Sequence, residues 1–465
     1  MMTARLSVTT LALLGGALSG LLSPARAQFE GIDKHKLTVK ATVDYGHVVN
    51  GYNYYDPDQK YDVAWLPINR ANVAVIQDVA IGNFDVSAGL SGLLWWPYGG
   101  GKGADLTEKT MQVKPMVPVA RARWQVGDPK DLSASIMVGT FNYKYNPDAK
   151  NLGEYLYRSG TYPGIVWTGE GWLLMNRAGN YSHGIMATVS QFGGALKHNA
   201  SLLMETVTYP VGDLSPGYDV SWTSKWVDLG AGGVWYRGLA LRPSQLTSKD
   251  AANTYARITG KNARGQDTVA VGRLGEIQNA VTTVTQIDTL GYWTVQGIKL
   301  MARAAVNLGS LLPEEIRGPE DLRIFAEVAL LGVKNQPLYY EKRSERMPVM
   351  FGINIPTAKF LDVLSVQGEY YQSPYSDGLN YIRESRPIPQ TEVTPSGKLP
   401  PTHDDDFKWS VYGKKTLNKL CNVYVQAASD QFRLTDGKYN PSTIPLTTSW
   451  QHDWYYVVRL EFNLR

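Results

Sequence analysis

The sequence predicts an all-β fold, a transmembrane antiparallel β-barrel of about 18 strands with long outer loops and short periplasmic turns; 16 strands is the alternative count. Three observations point there. The 465 residues are rich in glycine (45), tyrosine (28) and tryptophan (13), and only 19% are charged, which excludes a disordered chain or a coiled coil. Mean hydropathy is −0.24 and no internal apolar run reaches membrane-helix length, so a helical bundle in the bilayer is excluded as well. Long segments alternate apolar and polar residues, and the links between them alternate long and short.

The N-terminus comes first in chain order. Arg5 precedes an apolar stretch, Leu6 to Leu22, and Ala25-Arg26-Ala27 supplies the small-x-small site of a signal peptidase. Residues 1–27 are therefore expected to be a secretory signal peptide and residues 28–465 a single barrel domain. A membrane anchor is the competing reading, disfavoured because the stretch is short and broken by glycine. Cys421 is the one cysteine, so disulfide staples do not hold this exported chain. A net charge of +4 gives no sign of a nucleic-acid partner.

Alternation then recurs along the chain. Leu37, Val39, Ala41, Val43 and Tyr45 alternate with polar or small residues, as do Phe84, Val86, Ala88, Leu90 and Leu94. Met116, Ala120, Ala122, Trp124 and Val126 follow, then Leu300, Ala302, Ala304, Val306 and Leu308, then Leu364, Val366 and Tyr370. The clearest case is last, where Tyr456, Val458, Leu460, Phe462 and Leu464 oppose Val457, Arg459, Glu461, Asn463 and Arg465. A soluble sheet also alternates, but its strands usually stop near about 5–6 residues. Runs of roughly 10–15 fit tilted strands crossing a bilayer, apolar side out and polar side in. Lipid tolerates no unpaired backbone amide, so such a sheet must close.

The links are the second test. Long segments rich in Gly, Pro, Asn and Asp fall at 49–70, 98–111, 144–163, 209–217, 243–292, 334–346, 373–407 and 433–452. Short ones fall at Gly82-Asn83, Gly127 to Asp131, Gly193-Gly194, Leu229 to Gly232, Pro356 to Phe360 and Thr416 to Leu420, with a moderate one at Gly309 to Asp321. Parity asks for one more pair of crossings, which Gly164 to Thr168 and Gly171 to Arg177 can supply; with it the count is 18, without it 16. Ala251 to Thr259 has the pattern of a short helix inside the longest loop.

With the leader, the alternating strands, the loop asymmetry and the C-terminal strand, the chain resembles a Gram-negative outer-membrane β-barrel of the porin type. The resemblance implies an outer-membrane location amid lipid and lipopolysaccharide. It also implies barrel-assembly machinery engaging the C-terminal strand and allows a homotrimer. The family's last strand usually ends in an aromatic residue, whereas here Phe462 is followed by Asn463-Leu464-Arg465. The segment from Lys144 to Arg158 has a helical look from Pro147 on and is similar to places where porins fold a loop into the lumen; Lys144, Lys150, Glu154 and Arg158 are its charged candidates.

Parity turns a set of charges inward: Lys40, Arg121, Arg123, Arg237, Lys299, Arg303 and Arg459 against Asp44, Asp85, Glu205, Glu327, Glu369 and Glu461. Seven against six predicts a mixed lumen of weak ion preference unless the charges segregate. Arg121 and Arg123 share one face about 7 Å apart, where they either attract anions and sugar hydroxyls or pair with carboxylates as wall structure. Trp95, Trp96, Trp124, Trp167, Trp172, Trp293, Trp409 and Trp454 sit near strand ends, as interfacial girdles require. Trp222 with Trp226, and Tyr52, Tyr54 and Tyr55, are the candidates for stacking on sugars.

Asp404-Asp405-Asp406 beside His403, and Asp56-Pro57-Asp58, carry oxygen ligands suited to Ca²⁺, but solvated loop charge is the simpler reading. The six histidines show no metal-ligand spacing. Gly99 to Gly103 lacks the spacing of a phosphate loop, and His198 and Ser201 have opposite parity. Neither metal, cofactor nor enzymatic activity is therefore expected. The function expected is passive diffusion of small polar solutes, ions and sugars among them, through a water-filled lumen. The alternative is a surface adhesion or structural protein whose barrel is only an anchor.

Overall fold

In the computed structural model the described residues are 34–50, 52–56, 59–62, 70–95, 112–157, 182–206, 212–242, 254–292, 296–334, 342–372, 393–394, 397–398, 406–429 and 454–464. Residues 1–27, where the signal peptide is expected, lie outside them. Sixteen strands close into one barrel. In chain order they are β1 (Lys34–Asn50), β2 (Arg70–Ile81), β3 (Phe84–Trp95), β4 (Gln112–Gly127), β5 (Leu132–Phe141), β6 (Ser182–Gln191), β7 (Leu196–Met204) and β8 (Leu214–Thr223). They continue as β9 (Val227–Tyr236), β10 (Gly297–Asn307), β11 (Arg323–Leu330), β12 (Val349–Asn354), β13 (Val363–Tyr370), β14 (Phe407–Asn418), β15 (Cys421–Ser429) and β16 (Trp454–Leu464).

Each strand pairs antiparallel with its sequence neighbour, and β1 closes on β16 from Val39↔Leu464 to Val48↔Tyr455. The count is settled between β5 and β6, which pair directly from Leu132↔Gln191 to Phe141↔Ser182. The wall therefore closes with sixteen strands and no crossing between these two; the extra pair suggested at 164–177 falls outside the described residues.

Parity does what the sequence pattern says. Leu90, Ile136, Leu300, Phe351, Val425 and Leu460 are exposed on the outer face, while Asp44 and Arg459 meet inside, directly across the closing seam. Aromatic rings mark both ends of the wall: Phe84 and Trp124 at the short-link end (centroids 6.4 Å apart) and Trp409 and Trp454 at the other (6.2 Å). Trp96, Trp167, Trp172 and Trp293 lie outside the described residues.

Two local expectations are corrected. Leu229 to Gly232 is not a turn but the interior of β9; the chain reverses at Ser224–Trp226, where the Ser224 N–H and hydroxyl both donate to the Val227 carbonyl. The glycines belong to the strand because the Arg303 side chain lies across Gly230, where a Cβ would come within 2.6 Å of Nε. Ala251 to Thr259 is not helical among its described residues either. Thr254–Lys261 is the middle strand of a separate three-stranded sheet with Asp267–Arg273 and Thr283–Tyr292, burying Tyr255, Ala256 and Ile258. Alternating Tyr255, Arg257 and Thr259 against Ala256 and Ile258 serves a period of two, which overrides the helix propensity of the alanines.

Candidate functional site

The segment Asn142–Tyr157 leaves β5 at the long-loop end and runs down the inside of the wall. Its tip reaches the opposite end of the barrel, where the Lys150 ammonium meets Glu320, 2.6 Å away, in the link between β10 and β11. There too the Arg323 guanidinium, at the first residue of β11, joins Asp148 of the loop (2.5 Å) to Asp228 of β9 (3.1 Å). Helical backbone, expected from Pro147 on, does not form here. Gly153 and Glu154 both take positive φ (88° and 60°), and the N–H groups of Asn151, Leu152, Glu154 and Tyr155 donate to side chains of the wall. An N–H spent on the wall cannot close a helical turn.

Two wall residues organise this docking. Glu327 of β11 accepts four hydrogen bonds from the loop: from the Tyr145 hydroxyl (2.5 Å), the Asn146 amide (2.6 Å) and the backbone N–H groups of Glu154 and Tyr155 (both 3.0 Å). Gln367 of β13 accepts from the N–H groups of Asn151 and Leu152 and donates to the Asp148 carbonyl. Gly153 allows the close approach, since a Cβ there would stand 2.7 Å from Met350 Cε and 3.1 Å from Glu327.

Tyrosines flank the tip on both arms. Tyr143 donates to Asp219 (2.7 Å), Tyr155 to Glu369 (2.9 Å), and Tyr157 lies 3.1 Å from the Ser201 hydroxyl. Burial first, then the neighbouring carboxylate charge, pushes the Tyr143 and Tyr145 hydroxyls well above the usual tyrosine range. Both remain protonated donors at any physiological pH.

The charges expected to face inward fall into two groups. Asp44 with Arg459 (2.6 and 2.8 Å), Arg303 with Asp228 (3.1 Å), and Glu369 with Lys408 (3.2 Å) are buried pairs. Lys299 is fully buried and donates to the Tyr155 carbonyl. Arg237 sits just beyond β9 at positive φ, buried with Glu205 and Asp213.

Lys40, Arg121, Arg123, Asp85 and Glu461 form the second group, at least partly exposed inside the barrel. Arg123 binds Asp85 at 2.5 Å and Arg121 stands 4.0 Å from the same carboxylate, yet their side chains keep 39% and 30% exposure. They are wall pairs that still meet the lumen. Of the loop candidates, Lys144 donates to the Ala149 carbonyl, Lys150 holds Glu320 and Glu154 braces the Asn146 N–H; Arg158 lies outside the described residues.

Gln367, Asp219 and the four tyrosines were not singled out by the sequence reading. The signal available was Tyr143/Tyr145 and Tyr155/Tyr157, two period-two aromatic arms around a Pro- and Gly-containing tip. Against catalysis by His198 and Ser201, the two point to opposite faces: His198 Nδ1 meets the Tyr218 hydroxyl outside (2.6 Å) while Ser201 is buried within. The Asp404 and Asp56 clusters and Gly99 to Gly103 lie largely or wholly outside the described residues.

No family model matches the sequence, and no curated protein matches it. Among solved structures, the chain is similar to Salmonella typhi OmpF in complex with daunomycin (10% identity, TM-score 0.45, 93% of this chain and 98% of that one). It is also similar to a triple mutant of the Rhodopseudomonas blastica porin (9% identity, TM-score 0.40, 93% and 100%). The barrel itself rests on its own closed strand register.

Proposed function

We propose that this chain is an outer-membrane channel through which small polar solutes, ions and sugars among them, diffuse without chemistry. The observation that carries the reading is the half-exposed state of Arg121 and Arg123 on the inner face of a closed barrel: water reaches charged side chains that the wall faces inward. Sixteen strands enclose a lumen wide enough for an aqueous path, whereas eight would be filled by side chains. The loop Asn142–Tyr157 narrows that path along one wall. In this reading the mature chain, residues 28–465, sits as one domain in the outer membrane of a diderm bacterium, in contact with lipid and lipopolysaccharide. Assembly proceeds through its C-terminal strand, and a homotrimer is one arrangement open to it.

A barrel-anchored surface protein is the second reading, favoured by one observation. The three-stranded sheet at 254–292 belongs to the longest link at the long-loop end and exposes Val269, Val271 and Ile287. Single-channel recording of the refolded mature chain in a planar bilayer separates the two. Stable ohmic steps, with swelling of liposomes in sugar solutions, are expected of the channel; a correctly folded but silent barrel would make the anchor reading the right one.

A further inference from the structure

The charges inside the barrel are sorted by cover, and the sorting has a sign. Where the loop Asn142–Tyr157 lies against the wall, carboxylates are taken out of solvent. Glu327 and Asp219 are spent on loop and wall donors, Glu369 on Lys408 and Tyr155, and Asp228 on Arg303 and Arg323. The loop's own acids turn away from the lumen as well: Asp148 and Glu154 are both 3% exposed. Among the described residues of the loop, no carboxylate faces open space.

The remaining wall keeps its cations in contact with water. Lys36 and Lys40 on β1, Arg121 and Arg123 on β4, Lys197 on β7 and Lys414 on β14 all have inward parity and are exposed or half-exposed. Three inward carboxylates share that exposure. Asp85 is already bound by Arg123, Asp78 accepts from the Ser87 hydroxyl, and Glu461 accepts from Asn422 and Tyr424. Among the described residues, six cations against three carboxylates leave a positive surplus on the surface a solute meets. A permeating ion passes within about 10 Å of such groups, the Debye length at 0.1 M, where their field is not yet screened.

We infer that the open lumen prefers anions, so that small inorganic and carboxylate-bearing solutes pass more readily than cations of the same size; this rests on the channel reading above. The near balance seen in the sequence becomes a positive surplus because burial removes more carboxylates than cations among the described wall and loop residues: Asp44, Asp148, Glu154, Asp219, Asp228, Glu327 and Glu369 against Lys299, Arg303, Lys408 and Arg459.

The test is the reversal potential of the refolded mature chain in a planar bilayer under a potassium chloride gradient. The chloride-to-potassium permeability ratio is expected above one, and the joint change Arg121→Gln/Arg123→Gln should lower it by about twofold or more. Arg121→Lys/Arg123→Lys, which keeps the charge, should preserve it. Lys40 has no hydrogen bond or ion pair among the described residues, so Lys40→Gln disturbs no contact and carries the test if the arginine variants fail to fold. At 1 M salt, where screening acts within about 3 Å, the preference should shrink; a steric filter would not respond.

A conducting barrel with a ratio at or below one, or a ratio unmoved by both the arginine and lysine changes, would overturn the anion preference and leave the channel standing. A folded barrel that does not conduct would overturn the channel, and the preference with it.

Discussion

Glu327 holds the inner loop, and replacing it with glutamine tests how firmly. The carboxylate accepts four hydrogen bonds from Tyr145, Asn146, Glu154 and Tyr155 over 2.5–3.0 Å. Hydrogen bonds to a charged group contribute about 1.5–3 kcal/mol each, but the buried carboxylate itself carries a desolvation cost of several kcal/mol. Glu327→Gln keeps the shape and one acceptor oxygen while setting an NH₂ against two donors. The net loss of loop anchoring comes to about 2–4 kcal/mol, two orphaned donors at roughly 1–2 kcal/mol each after partial relaxation. Every 1.4 kcal/mol is tenfold, so the released state should be populated about 30- to 1,000-fold more.

Lys144 and Lys150 make that state visible, because trypsin cuts after lysine only where the backbone is free, and in the docked loop Lys144 is tied to the Ala149 carbonyl, Lys150 to Glu320, and the residues that follow them, Tyr145 and Asn151, are buried. The assay is trypsin cleavage of the folded barrel, mapped by mass spectrometry, with channel noise recorded in parallel. Cleavage at both lysines should accelerate by that factor while β-sheet content stays the same. Unchanged cleavage and unchanged noise would refute the idea that Glu327 is the anchor and leave Gln367 and Arg323 as the sufficient holds.

Three further outcomes are expected. Leu460→Arg, exposed on the outer face of β16 near its middle, should destabilise the barrel by about 2–4 kcal/mol in urea titrations from lipid vesicles. Gly153→Ala forces a side chain into positive φ against Met350 and Glu327; a cost of about 1–3 kcal/mol should appear as faster trypsin cleavage of the loop, with the melting temperature of the barrel unmoved. At the seam, Asp44→Asn leaves Arg459 buried without its charge partner and should cost about 3–5 kcal/mol. The joint Asp44→Leu/Arg459→Met change should recover most of that, as read by the temperature at which the barrel unfolds in detergent.

The barrel was legible because its signal is local. Facing follows from period two, so Leu460, Arg459 and Glu461 could be assigned to their sides without knowing their neighbours. The inward loop after β5 is suggested only by the resemblance of residues 144–158 to places where porins fold a loop into the lumen, and the helical backbone read from Pro147 on does not form. What a residue faces is different from what covers it. Parity turns Lys299 and Glu327 inward just as it turns Lys40 and Arg123, yet the first two are sealed beneath residues 142–157 and the others meet water. Cover comes from a segment some 140 to 220 residues away in sequence, a relation no local pattern encodes. The two-strand excess in the larger count has a related cause, since a long loop rich in apolar and glycine residues reads like wall until register shows β5 already paired to β6.

The place where the loop docks explains why so many carboxylates lie there. The short strands β11, β12 and β13, of 8, 6 and 8 residues, receive a segment with little regular secondary structure, whose backbone donors have no ladder to join. A buried N–H without an acceptor costs about 1–3 kcal/mol, and Glu327 and Gln367 supply acceptors where a paired strand would have supplied carbonyls. Opposite, β1 to β4 pair with one another and leave Lys36, Lys40, Arg121 and Arg123 in contact with water, while Asp44 is sealed against Arg459. Narrowing the path and setting its charge are then one structural event, because the wall the loop covers gives up more acidic side chains than basic ones, Asp219, Asp228, Glu327 and Glu369 against Lys299, Arg303 and Lys408. A variant that frees the loop while keeping Glu327, such as Gly153→Ala, should therefore conduct more and discriminate less against cations in the same recording, since Glu327, Glu369, Asp219 and Asp228 return to the lumen against only Lys299, Arg303 and Lys408. If conductance rose with ion preference unchanged, burial by the loop would not be what sets the sign of the lumen.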